Sequence, residues 1–155
     1  MSVLTDELTA DINNSATLKS VTAVSKAGIP HTVYKGTLHV NSDGNIEFYD
    51  ILESSRINEN LVYSIWFGKF VTVNILTEDR RSYEILGKPV QSITTGSKFE
   101  EVYKNLKANR GNDLNAIWII EPSEVREETF AVRKSEQERD YPFLKHLDRA
   151  LKKQS

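Results

Sequence analysis

The sequence predicts one mainly β domain spanning residues 1–155: an antiparallel sheet closed into a barrel or sandwich, with helices at its periphery. Three observations carry this prediction. Roughly seven short runs are rich in β-branched and aromatic residues with polar alternation. They are joined by compact reversals, Lys26-Ala27-Gly28-Ile29-Pro30, Asn41-Ser42-Asp43-Gly44-Asn45 and Thr77-Glu78-Asp79-Arg80. Only about four stretches have helical periodicity, too few to supply the crossovers of a parallel, doubly wound sheet.

In chain order, Leu4, Leu8 and Ile12 recur every fourth residue beside Asp6, Glu7 and Asp11, which predicts an amphipathic helix over 3–13, within an N-terminal segment 1–14. From 18 to 40 the pattern is extended, broken by a hairpin at Gly28-Ile29-Pro30 and bent at Gly36. Asp43-Gly44 is the strongest short-range hairpin signal, and Ile46-Glu47-Phe48-Tyr49-Asp50 is the strand after it. Ile57, Leu61 and Ile65 share one face of a helix that ends near Gly68. Two strands, 69–76 and 81–86, are predicted to pair antiparallel, the second interrupted by Gly87-Lys88-Pro89 and resuming over 90–93. Ser97-Lys98-Phe99-Glu100 matches a capping box, and Phe99, Val102, Tyr103 and Leu106 form the stripe of the helix it opens. Two further strands are expected at 116–120 and 128–133, around Glu121-Pro122. A helical tail over 140–155 carries Phe143, Leu144, Leu147 and Leu151 on one stripe.

Composition narrows the function classes. There is no cysteine, which excludes disulfides, thiolate nucleophiles and Cys-held metal or iron–sulfur centres. A net charge of −2 with scattered Lys and Arg lacks the basic face that nucleic-acid binding needs. The longest apolar runs, such as Ala116-Ile117-Trp118-Ile119-Ile120, are strand-sized, far short of the roughly 20 residues of a membrane span. The opening Met1-Ser2-Val3-Leu4-Thr5-Asp6-Glu7 has neither basic start nor apolar stretch, so a cytoplasmic protein is expected. His31, His39 and His146 lie far apart without metal-ligand spacing, and no metal site is predicted. Trp66 and Trp118 read as core or dimer-contact residues.

The most informative segment is Glu53-Ser54-Ser55-Arg56-Ile57-Asn58-Glu59-Asn60-Leu61, where strands give way to a helix. A helix start leaves its first N–H groups unpartnered and carries partial positive charge, so an anion gains hydrogen bonds and a favourable dipole there. Arg56 adds a two-pronged grip on phosphate oxygens, at roughly 1.5–3 kcal/mol per charge-assisted bond. The same residues also fit plain capping by Ser55 beside a solvated Arg56.

Taken in order, Gly28-Ile29-Pro30-His31-Thr32-Val33, Ser55-Arg56-Ile57-Asn58-Glu59-Asn60-Leu61, Gly87-Lys88-Pro89 and Phe99-Glu100-Glu101-Val102-Tyr103 resemble the pyridoxamine-5′-phosphate-oxidase-like superfamily of flavin-binding split barrels, and most of all its small FMN-binding proteins. The resemblance covers residues 15 to about 125. It implies an antiparallel split β-barrel that forms a homodimer, with one FMN in each of two grooves at the subunit interface. Carried over, Tyr34, Lys35, Gly36 and Thr37 would edge the cofactor, and Ser54, Ser55 and Arg56 would meet its phosphate. Asn60 matches the motif but also suits a hydrogen bond within its own helix. The seat read from the residues and the inherited one coincide, which weakens capping as the sole role of Ser55.

The chain also departs from the family. Where many members carry Arg on the strand after Gly-x-Pro, this chain has Lys35, a point charge without a fork. Phe143-Leu144-Lys145-His146-Leu147-Asp148-Arg149 does not match the substrate-phosphate tail of the true oxidases, so vitamin B6 oxidation is not implied. With FMN bound, the flavin supplies the redox step and no protein general base is required, so no catalytic residue is assigned. The implied activity is a flavin-reductase- or nitroreductase-type oxidoreductase drawing on NAD(P)H or a small redox partner. The alternatives are a non-catalytic FMN-binding, electron-transfer or sensor module, or a haem- or deazaflavin-binding split barrel.

Overall fold

A computed structural model describes residues 3–52 and 54–142. The expected tail helix with its stripe Phe143, Leu144, Leu147 and Leu151, His146, and Glu53 of the strand–helix junction lie outside the described residues. Within them the order is α1 (Asp6–Asn13), β1 (Leu18–Val24), β2 (Pro30–Tyr34), β3 (His39–Val40), β4 (Ile46–Asp50), α2 (Arg56–Phe67), β5 (Val71–Leu76), β6 (Ser82–Ile93), α3 (Ser97–Arg110), β7 (Ala116–Glu127) and α4 (Phe130–Asp140). All strand pairs are antiparallel, and they form one sheet in the order β2-β1-β5-β6-β7-β4-β3.

That order makes the sheet a barrel with a split. β2 and β3 stand at opposite edges, yet only residues 35–38 separate them. A link of that length reaches at most about 18 Å, so the sheet must curl until its edges nearly meet. Inward positions alternate along the strands, Ile46 and Phe48 on β4, Val71, Val73 and Ile75 on β5, Ala116, Trp118 and Ile120 on β7, and all of them are buried. Leu8 and Ile12 of α1 and Ile57 and Leu61 of α2 complete this core. On the outer side, Tyr49 and Ile117 pack under α3 with Val102, Tyr103 and Leu106. Trp118 is therefore core, whereas Trp66 is 79% exposed.

The differences from the sequence expectation each have a cause. α1 begins at Asp6 and not at 3, because Thr5 caps it by accepting from Leu8 N at 3.1 Å. The cap of α3 is Gly96, at φ 98°, and Ser97 is the first helical residue without a capping bond. The strand expected at 128–133 is absent: the β7 ladder stops at Tyr83–Glu127, Thr129 Oγ1 accepts from Ser82 N at 3.0 Å, and Phe130 starts α4.

The prolines expected to break strands lie inside them. β4 pairs with β7 only as far as Ile120, so Pro122 needs no second donor, and β5 pairs with β6 only as far as Gly87, which frees Pro89. Both prolines thus sit on stretches with a single neighbour, and register shifts at Leu86/Gly87 and Pro89/Gln91 turn the sheet there.

Lys19 is nearly buried on β1, and its ammonium donates to Leu38 O at 2.9 Å. Burial holds its pKa below the ordinary 10.5. The unfolded chain keeps this proton to higher pH than the folded one, so stability rises as pH climbs toward 10.5. Lys19→Met is expected to flatten that alkaline rise, read as urea midpoints against pH.

Candidate functional site

Three segments of different origin meet at one cleft of about 590 Å³. The alternation of β2 turns His31 and Val33 inward, and Lys35 follows them in step. Ile51 and Leu52, after β4, run into the start of α2, which contributes Ser55, Arg56 and Ile57. Asn112, just past the Gly111 cap of α3, closes the third side.

The node of this cleft is Asp50, the last residue of β4 and fully buried. Its carboxylate accepts from Lys35 Nζ at 3.2 Å, from Ser55 Oγ at 3.0 Å to each oxygen, and from Asn115 Nδ2 at 3.2 Å. Its backbone carbonyl accepts from Asn115 N at 2.8 Å. Ser55 Oγ in turn accepts from Asn58 N at 3.1 Å, so this hydroxyl caps α2 and anchors it to β4 at once. Arg56 is exposed at the first helical position, with no ion pair among the described residues.

Of the residues expected at a cofactor, Lys35, Ser55 and Arg56 are brought together here. Tyr34 is on the opposite side of β2 from Lys35 and is 72% exposed. Gly36 lies in the open turn of 35–38, where an added Cβ would meet nothing within 4 Å. Thr37 Oγ1 accepts from Tyr49 N at 3.0 Å and edges a separate hollow of about 230 Å³ beneath α3. Ser54 is exposed and does not line the cleft. Asn60 is buried on the core side of α2; its backbone carbonyl accepts from Ser64 Oγ at 2.7 Å, and its side-chain Nδ2 has no hydrogen-bond partner among the described residues.

Asp50, His31 and Asn112 were not among the expected site residues. His31 was readable from the two-residue period that links it to Val33 and Lys35. Asp50 was readable only as an acid in step with inward-facing Ile46 and Phe48; its partners come from positions 35, 55 and 115.

A second polar cluster stands on the outer side of β4. Glu47, nearly buried, meets His39 Nε2 at 3.0 Å and Lys98 Nζ, while His39 Nδ1 lies 2.8 Å from Thr37 O. Burial, reinforced by Glu47 and Glu101, pushes the Tyr49 hydroxyl above its usual pKa. Both ring nitrogens of His39 are occupied, so this cluster is a fastening between α3 and the 35–38 turn. Among the described residues no group of three His, Asp or Glu side chains could hold a metal ion, and no helix is long and apolar enough to cross a membrane.

No protein-family model matches the sequence, and no curated protein does. Solved structures do match. HupZ of Group A Streptococcus is 18% identical with a TM-score of 0.66, over 83% of this chain and 96% of that one. An FMN-binding protein of Syntrophomonas wolfei is 11% identical with a TM-score of 0.58, over 80% and 88%. HutZ of Vibrio cholerae, described as a heme storage protein, is 14% identical with a TM-score of 0.58, over 82% and 95%. Pyridoxamine 5′-phosphate oxidase-like proteins match in the same way. The chain has the split-barrel fold of these proteins.

Proposed function

We propose that this protein binds FMN in the cleft between β2, the start of α2 and the loop after α3, and works as a small oxidoreductase of the flavin-reductase or nitroreductase type. The observation that carries the reading is Arg56: a guanidinium without an ion pair among the described residues, on the first turn of a helix, at the mouth of a cleft that also holds Lys35 and His31. A cleft of about 590 Å³ is within the range of small-molecule sites, roughly 300–1,000 Å³. The donor set fits the group: guanidinium and helix start for the phosphate, with Lys35 and Asn112 for the polyol chain and Val33, Leu52 and Ile57 for apolar contact. Bound flavin would supply the electron transfer; the protein places it, charges its surroundings and limits access.

A homodimer is part of this reading. Leu18 and Leu76 are cross-strand partners on the outer face of β1 and β5, 57% and 43% exposed, and Tyr34 extends that face onto β2. Apolar side chains exposed side by side on a sheet suit a second copy. Purified protein is expected to run at twice 17.7 kDa, to carry a yellow flavin spectrum and to bleach anaerobically with NADH or NADPH. Flavin retained but unbleached by either donor would favour the electron-transfer or sensor module.

Arg56→Ala is expected to weaken FMN binding by about 2 kcal/mol, near thirtyfold, with folding intact. Flavin fluorescence quenching measures it, and equal affinity in both proteins would return Arg56 to solvent. One observation favours a second reading, haem binding: His31 faces the cleft and could reach an iron there. A Soret band on adding haemin, lost in His31→Ala, together with no uptake of FMN, would support it.

A further inference from the structure

The charge around this cleft is not what its cations suggest, because the most buried group in it is an acid. Asp50 is fully buried, while the Lys35 side chain is 16% exposed and 3.2 Å from it. The Ser55 hydroxyl proton also points to Asp50, since Ser55 Oγ lies 3.0 Å from both carboxylate oxygens and receives Asn58 N on its other side. Lys35, a cation of the cleft, and Ser55, a donor at the helix start, are thereby engaged with the protein's own anion.

We propose that Asp50 is a specificity-determining residue that filters the cleft's ligands by charge. It neutralises Lys35, occupies Ser55, and leaves Arg56 as the one permanent cation at the cleft that is free among the described residues. An incoming dianion gains the guanidinium and the helix start but is repelled by the buried Asp50 carboxylate in the wall of the same cleft. A neutral ligand of the same shape feels none of this. Asp50 also joins the walls, through Lys35 from β2, Ser55 from α2 and Asn115 from the loop that carries Asn112. The filter and the scaffold are one residue, so they must be separated by experiment. The inference rests on reading the cleft as an anion seat, and holds for any phosphate-bearing ligand.

Asp50→Asn keeps the shape and removes the charge. With inorganic phosphate as the probe, followed by calorimetry, the variant is expected to bind about tenfold more tightly than the parent. Equal or weaker phosphate binding by a folded variant overturns the proposal. Should that variant not fold, Lys35→Gln with Asp50→Asn carries the test, because removing both members of a buried pair spares the fold the cost of a lone charge. The double variant is expected to bind phosphate no worse than the parent, since the lost cation was engaged with the lost anion; a tenfold loss shows that Lys35 grips the ligand and overturns the filter.

FMN and riboflavin titrated in parallel keep the two claims apart. A tightening confined to FMN in Asp50→Asn supports the filter, whereas equal losses for both flavins mark a scaffold only and overturn it. A parent that takes up neither flavin, with the tenfold phosphate gain intact, ends the flavin reading and leaves the charge filter supported.

Discussion

Replacing Trp118 with alanine is expected to cost about 3–5 kcal/mol of folding stability, enough to unfold a large share of a marginally stable domain. Trp118 is the largest fully buried side chain, opposite the equally buried Phe48 across β7 and β4. The loss has two parts. The vacated indole leaves a cavity that the rigid ladders on both sides cannot collapse around. Its Nε1 also donates to Asn58 Oδ1 at 3.0 Å, so the change deprives the first turn of α2 of a partner and loosens the helix that carries Arg56. Urea unfolding followed by circular dichroism measures the effect, and a loss below about 1 kcal/mol would contradict this account of the core.

The second large effect is expected at Gly87. A Cβ there would come within 2.6 Å of Glu121 O and 2.9 Å of Ile120 Cγ2. The first obstacle is backbone in a paired strand, so relief requires opening the β6–β7 ladder at the place where its register already shifts. Gly87→Ala is expected to destabilise by about 1–3 kcal/mol. Gly36→Ala is the matched control: its added Cβ meets nothing within 4 Å, and the expected change is within about 0.5 kcal/mol. Equal urea midpoints for the two variants would show that the strands bend without needing close approach at Gly87.

What the sequence made legible was whatever local chemistry decides. Leu8 and Ile12, and Ile57 and Leu61, announce two helices by spacing and are buried on them. Asp43-Gly44 marks a reversal, and Gly44 adopts φ 79° there. Illegible features depended on distant partners. Glu128-Thr129-Phe130-Ala131-Val132-Arg133 has strand-like residues, but the ladder runs out at Ser82 and the chain coils into α4. Pro122 and Pro89 read as breaks because nothing local reveals that β4 and β5 have already ended beside them. The same limit applies at the cleft. Ser55 and Arg56 were visible because a helix start is local; Asp50 was not, because its role comes from residues 35, 55 and 115 meeting in space.

The strand order also sets a timetable for synthesis. β4 finds its long partner only in β7, about 70 residues later in the chain, and β1 must wait for β5. While the ribosome extends the chain, Ile46 and Phe48 remain without the neighbours that will bury them, and the hairpins made early cannot join into one sheet. Closure of the sheet around β4 is therefore a late event that follows the emergence of β7, and a nascent chain stalled before Ala116 leaves apolar strands without the neighbour that buries them.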